Sequence, residues 1–217
     1  MLLLYAALQQ GCVLGDYSEV KGTRAWKRDL KPYRKNFYNT ALARHCNSFG
    51  NSNNGVVEKK LGERKLIEKA CSVDAEEILS LINMTNRETY KDIIPKEYFK
   101  VPILTIEELL EILDRMDFYV YKSERKIVGV AALQVENEET GKLNWVYVLP
   151  RHQGKGIGTA LITHLEQKAR KKGLEKIRLR TIEKADQAVN FYKKLGYRLA
   201  EKIEVAWGFN LLMEKDL

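Results

Sequence analysis

Pro150-Arg151-His152-Gln153-Gly154-Lys155-Gly156-Ile157-Gly158 is the stretch that decides how this 217-residue chain is read. A strand-like run precedes it, Leu143-Asn144-Trp145-Val146-Tyr147-Val148-Leu149, and a helix-like run follows from Thr159 to Lys172, stopping at Gly173. A single turn or helix cap needs one glycine; here there are three, at every second position. Glycine tolerates positive φ and lets backbone amides approach a ligand with no Cβ in the way. At the start of a helix those amides point outward, where the macrodipole also favours negative charge. The pattern predicts an anion site, with a pyrophosphate as the natural guest.

The nucleotide motifs do not account for it. A P-loop requires Gly-x-x-x-x-Gly-Lys-Ser/Thr, which is absent, and glycines at 154, 156 and 158 miss the Gly-x-Gly-x-x-Gly spacing of dinucleotide-binding turns. The segment resembles the acyl-CoA site of the GNAT superfamily of N-acyltransferases, whose signature is Gln/Arg-x-x-Gly-x-Gly/Ala. Arg151-His152-Gln153-Gly154-Lys155-Gly156 fits it throughout. Three further resemblances follow in order: Val146-Tyr147-Val148-Leu149-Pro150 for the preceding strand, Ala188-Val189-Asn190-Phe191-Tyr192-Lys193-Lys194-Leu195-Gly196-Tyr197 for a later helix, and Leu211-Leu212-Met213-Glu214-Lys215 for the last strand. The likeness covers about Lys65 to Leu217.

Length suits one domain with an appendage. The break in texture falls near residue 62, dividing a basic N-terminal extension (1–62) from an acyltransferase-like domain (63–217). Residues 1–58 carry eight Lys and Arg against four Asp and Glu, half of the net charge of +8. All eight lie within Lys21 to Arg44, interleaved with Trp26, Tyr33, Phe37 and Tyr38. That composition suits a nucleic-acid arm, yet no named binding motif is present, so it is read as a poorly ordered leader ending in the polar linker 47–55. No apolar run reaches the ~18 residues of a membrane span. Cys12, Cys46 and Cys71 are odd in number and lack Cys-x-x-Cys spacing, which argues against a disulfide framework or zinc site and suits the reducing cytoplasm. No metal constellation is visible.

Periodicity gives a coarse α/β order. A first strand is expected over 64–71. Asp74 is placed to cap a helix over 75–82, a short second helix covers 86–91, and Thr105 caps 106–116. Strands 118–121 and 126–135 form a hairpin at Ser123-Glu124-Arg125. A turn at 137–141 leads to strand 143–149, helix 159–172, strand 177–181, helix 185–195 and strands near 197–203 and 209–214. The unit 143–181 is expected to be a right-handed parallel crossover. The resemblance implies a mixed, mostly antiparallel sheet with flanking helices, its two parallel strands splayed to admit the pantetheine arm.

It also implies acetyl-CoA as cosubstrate, gripped by Arg151 to Gly158 with Thr159, and direct attack by a primary amine in a ternary complex. The family places a carbonyl-polarising backbone N–H on the motif strand, near Val148, with Val146 beside it. Lys155 can add charge to the phosphates. Tyr192 takes the place of the family's general acid, since a phenol of pKa ~10 can protonate a departing thiolate. The family's CoA-contacting asparagine would fall at Ala185; Asn190 is the substitute candidate. Many members have a base Glu at the start of the motif strand, where this chain has Lys142. Glu138, Glu139 and Glu88 are the carboxylates nearby in sequence. His152 and His164 are read as structural or exposed. Asn86-Arg87-Glu88-Thr89-Tyr90 with Ile93-Ile94-Pro95 is similar to polyamine-type acetyltransferases, so a small polyamine-like acceptor is expected. A protein N-terminal or lysine acetyltransferase, a non-catalytic CoA-binding module and a nucleic-acid binder are the alternatives. A homodimer is compatible with all of them.

Overall fold

The structure, a computed structural model, describes residues 66–217. The basic stretch 21–44 and the linker 47–55 lie outside the described residues.

One seven-stranded sheet organises the chain, in the order β1-β2-β3-β4-β5-β7-β6. The strands are β1 (Leu66–Lys69), β2 (Asp117–Ser123), β3 (Lys126–Val135), β4 (Thr140–Val148), β5 (Lys176–Ile182), β6 (Arg198–Val205) and β7 (Gly208–Asp216). Every neighbouring pair is antiparallel except β4 and β5. The expected parallel crossover is therefore present, with α3 (Ile157–Lys171) as its connection.

The sheet is apolar on both faces in its middle. On β3, Gly129 lies against Ile157 and Leu161 of α3, where a Cβ would come within 2.9 Å of Ile157 Cγ2. That close approach is why no side chain is tolerated there. Leu161, Ile162, Leu165 and Ala169 of α3 are fully buried, as their 3.6-residue spacing predicts. The other face is covered by α1 (Ala75–Tyr90), which buries Ile78, Leu81 and Ile82. The Glu77 carboxylate accepts from the Ile127 N–H at 2.9 Å and ties this helix to the start of β3. Next to α1 packs α2 (Ile106–Arg115), opened by a capping box in which Thr105 and Glu108 satisfy each other's N–H groups.

Two local expectations are corrected. The segment 86–91 is not a separate helix: α1 runs unbroken to Tyr90 because Thr85 and Asn86 are buried in it. Packing there outweighs the weak helix preference of Asn and Thr, and no Gly or Pro interrupts the run. Asp74 makes no side-chain cap to α1. Its carboxylate turns back to accept from the Cys71 N–H at 3.0 Å, closing the 3₁₀ turn Ser72–Asp74. The hairpin at Glu124-Arg125 forms as expected, both residues taking positive φ (50° and 66°), the geometry that two-residue turns demand.

The last helix, α4 (Asp186–Lys194), lies beside β5 and presses Phe191 against Gly158 of α3. Behind it, buried Glu166 accepts from the Tyr197 hydroxyl at 3.0 Å and pairs with Lys215 through both carboxylate oxygens.

Candidate active site

The parallel ladder between β4 and β5 is short. It pairs Thr140 with Lys176 through Leu143 with Leu179 and then stops, although β4 continues to Val148 and β5 to Ile182. Beyond Leu143 the strands diverge and leave a cleft lined by residues of both, with Tyr90 of α1 and Tyr192 of α4 at its sides.

A β-bulge contributes to the splay. Asn144 pairs with Ala132 and Tyr147 with Val130, so Trp145 and Val146 together face a single residue of β3. Trp145 sits at φ 53°. For a side chain this large the left-handed region costs roughly 1–2 kcal/mol, held here by burial of the indole, which is 6% exposed. The bulge bends β4 away from β5 and turns backbone that would otherwise be laddered toward the cleft. Nothing in the sequence marked it; a tryptophan within a β-rich run reads as ordinary strand. Val146 lines the cleft, while Val148 pairs with Gly129 and does not.

Immediately after β4 comes the glycine-rich loop. Its first turn is 3₁₀ (Pro150–His152), and α3 begins at Ile157, two residues earlier than expected. Gly154 and Gly156 take φ of 70° and 80°, and a Cβ on either would meet nothing within 4 Å. What needs glycine there is therefore backbone torsion and open space above the loop, not crowding by the protein. Gly156 is the N-cap of α3 and no side chain caps that end, so the first-turn N–H groups face the open space. A phosphate-bearing ligand fits this arrangement. Gly158 has a different role from the other two: a Cβ would lie 3.0 Å from Phe191 Cζ.

The remaining loop residues divide by function. Gln153 turns inward; its Nε2 donates to the Val148 carbonyl oxygen at 2.9 Å, and its Oε1 accepts from Gln187 Nε2 of α4 at 3.2 Å. It braces the loop. Arg151, Lys155 and Thr159 are exposed at the loop surface, and Ile157 is buried beneath it. His152 is partly exposed, and burial together with Lys155 and Arg151 holds its imidazole below the usual range. His164 is likewise lowered, by burial and by Lys168 and Lys171, and packs on Tyr119 with ring centroids 4.6 Å apart.

Tyr192 is 7% exposed, lines the cleft, and stacks between Phe191 and Tyr197 at 5.2 and 6.0 Å. Burial, and then neighbouring Tyr90, push its hydroxyl well above the ordinary tyrosine value. The phenol is thus protonated at any physiological pH. Asn190 is exposed on α4, away from the buried stripe of Val189 and Tyr192, and Ala185 is buried just before the helix.

The carboxylates nearest in sequence do not gather here. Glu138 and Glu139 are exposed in the β3–β4 turn, where the Glu139 carbonyl accepts from the Glu175 and Lys176 N–H groups. That is the closed end of the parallel pair. Glu88 is exposed on α1 and does not line the cleft. Lys142 is buried, with Glu136 3.7 Å away. Among the described residues, no Asp or Glu lines the cleft, no cluster of His, Cys, Asp and Glu could hold a metal, and no helix is long and apolar enough to cross a membrane.

Comparison with known proteins agrees with this geometry. The chain is 31% identical over 97 residues to an uncharacterised N-acetyltransferase of Methanocaldococcus jannaschii, covering 42% of this chain and 43% of that one. It is 34% identical over 83 residues to glucosamine 6-phosphate N-acetyltransferase of Trypanosoma brucei brucei, covering 36% and 54%. The chain thus spans about half the length of these curated relatives. Its fold superposes on PaiA N-acetyltransferase of Thermoplasma acidophilum, solved in complex with coenzyme A, with a TM-score of 0.64 at 23% identity, over 71% of this chain and 99% of that one. Residues 78–197, more than half of the chain, match the sequence profile of the acetyltransferase (GNAT) family, and the chain belongs to that family.

Proposed function

We propose that this chain transfers an acetyl group from acetyl-CoA to a primary amine by direct attack within a ternary complex, in the cytoplasm. The observation that carries the reading is the coincidence of an uncapped, glycine-rich helix start with a split parallel strand pair that holds a buried, protonated tyrosine.

Acetyl-CoA supplies an activated thioester. The backbone N–H groups of Gly154 to Gly158 are suited to its phosphates, with Lys155 and Arg151 adding charge from the surface. Gln153 holds the loop to β4. The bulge at Trp145 and Val146 offers backbone donors to a carbonyl oxygen inside the cleft; such preorganised donors act where negative charge develops. Val148 stays a candidate beside the bulge: its carbonyl accepts from Gln153 and the following Leu149 N–H bonds to Val128 of β3, so the Val148 N–H is directed away from β3. Tyr192 gives its proton to the leaving thiolate and regains one from solvent. Among the described residues no carboxylate lines the cleft to take the amine's proton, so on this reading that proton passes to water, and amines that are neutral at the working pH react fastest.

The extension 1–62 takes no part in this scheme. A panel of amines with acetyl-CoA, read by free-thiol release, tests the reading. Turnover with at least one amine is expected; a protein that neither binds CoA nor releases thiol with any amine would refute it.

A further inference from the structure

The inference below rests on the amine acetyltransferase reading and concerns which amines the cleft accepts. Arg180 is the one charged residue lining the cleft among the described residues. Its neighbour two residues back on β5, Arg178, has Glu214 at 3.4 Å; Arg180 has no carboxylate within ion-pair distance. The Arg180 Nε is shielded from solvent and has no hydrogen-bond partner. A second donor in the same cleft, Trp145 Nε1, is also buried and unpartnered. By contrast the Asn144 amide is engaged, donating to Gln134 Oε1 at 3.3 Å and to the Lys142 carbonyl at 3.4 Å.

The cleft therefore holds two orphaned donors, an unmatched cation and no carboxylate. Buried donors without partners are uncommon, and Arg180, half-buried, brings a charge with no carboxylate of the described residues beside it. A ligand that brings acceptor oxygens and a negative charge would relieve both. A polycation would meet Arg180 with no acid to hold it.

We propose that the acceptor is a primary amine that also carries an anionic group, a carboxylate or a phosphate, and that Arg180 selects it. The planar guanidinium can hold either anion through paired hydrogen bonds. Its charge also favours the neutral form of the nearby amine, which matters where no carboxylate base is present. The amine nitrogen then bonds to the acetyl carbon as the carbon–sulfur bond breaks. The amine's surplus proton leaves to water, and the departing thiolate takes the Tyr192 proton. On this reading the polyamine-like acceptor suggested by residues 86–95 is not the substrate.

The test uses the full chain with acetyl-CoA and free-thiol readout. Acceptors form two pairs that differ in the anionic group: O-phosphoethanolamine against ethanolamine, and 4-aminobutyrate against putrescine. The anionic amines should exceed ethanolamine and putrescine in kcat/KM, and whichever anionic amine is better identifies the anion. Arg180→Gln should lower kcat/KM for the anionic amines by ~10- to 100-fold, the worth of a charged hydrogen bond. Arg180→Glu should shift preference toward putrescine, with CoA affinity and melting temperature close to wild type in both variants. If CoA binds but no amine turns over, calorimetry on the CoA-saturated protein reads the same preference: binding of O-phosphoethanolamine or 4-aminobutyrate, but not putrescine, lost in Arg180→Gln. Equal or better use or binding of putrescine, binding of none of these amines, or an anion preference that survives Arg180→Glu, would overturn the inference while leaving the acetyltransferase reading intact. Failure to bind CoA at all would remove both, and is recognisable as such.

Discussion

Replacing Tyr192 by Phe removes one oxygen from the cleft and leaves the ring in place. Packing should survive, because the contacts to Phe191 and Tyr197 are ring contacts at 5.2 and 6.0 Å that phenylalanine also makes. The stability change should therefore stay within about 1 kcal/mol. The rate is another matter. Burial raises the Tyr192 pKa, with Tyr90 adding to it, so the hydroxyl is fully protonated from pH 6 to 9 and is a proton donor throughout. General acids contribute ~10²-fold or more, which is about 2.7 kcal/mol of barrier at 1.36 kcal/mol per decade. Saturating kcat, followed by thiol release, should fall by that factor with little change in CoA affinity, since the phosphates are bound elsewhere. The deficit should shrink for an acyl donor whose departing thiol is more acidic and needs less help. The same residue leaves a mark on stability. Its folded pKa lies above the unfolded value of ~10, so its contribution is complete below pH 10 and is lost as pH rises through the folded value. Above pH 10 the wild type should lose melting temperature faster than the Phe variant. A Phe variant that turns over at wild-type rate across pH 6 to 9 would show that Tyr192 only packs, and that water protonates the thiolate.

Other outcomes follow from the loop, the core and the chain ends. Gly156→Val places a branched side chain at φ 80° in the space above the loop, and calorimetry should show CoA binding weakened well over tenfold in a folded protein; unchanged affinity would remove the phosphate assignment. Glu166→Ala strands the Lys215 ammonium and the Tyr197 hydroxyl that now share its carboxylate; denaturant unfolding should report a loss of about 3 kcal/mol, with less than 1 kcal/mol refuting a stabilising role. A chain beginning at Glu58 should fold and keep its turnover; loss of solubility or activity would make residues 1–57 part of the working domain.

Much of this architecture was legible because it rests on short-range rules. The positive-φ glycines 154 and 156, the period of Leu161, Ile162, Leu165 and Ala169, and the Thr105 cap each specify local structure by themselves, and each is found in place; Gly158 is required instead by Phe191 of the last helix. What escaped depends on partners distant in sequence. Residues 140–143, expected as the end of a turn and the start of a strand, are the ones that pair with β5, a contact that depends on a strand more than thirty residues further on. The bulge at Trp145 is set by the register against β3, which no residue of β4 announces. The alternation in Lys176-Ile177-Arg178-Leu179-Arg180 puts both arginines on one face. It cannot reveal that Glu214, arriving from β7, stands within ion-pair distance of the first, 3.4 Å away, while the second faces the cleft.

The four-residue seam between β4 and β5 divides the sheet into two leaves. One carries β1 to β4 with the phosphate loop; the other carries β5, β7 and β6, with Tyr192 on the helix beside it. Leu143, where pairing ends, acts as the pin of a hinge, and Val148 lies five residues beyond it, a lever of ~16 Å at strand spacing. A rotation of roughly 4° about that pin displaces the lever's end by about 1 Å, a misplacement that can cost ~10² in rate. Across the gap, the Gln153–Gln187 hydrogen bond and the contact of Phe191 with Gly158 act as struts between the leaves. Under the proposed mechanism, alignment of donor and acid is thus a mechanical property of two small side-chain bridges, and a change in either should be felt at the reacting atoms without touching them.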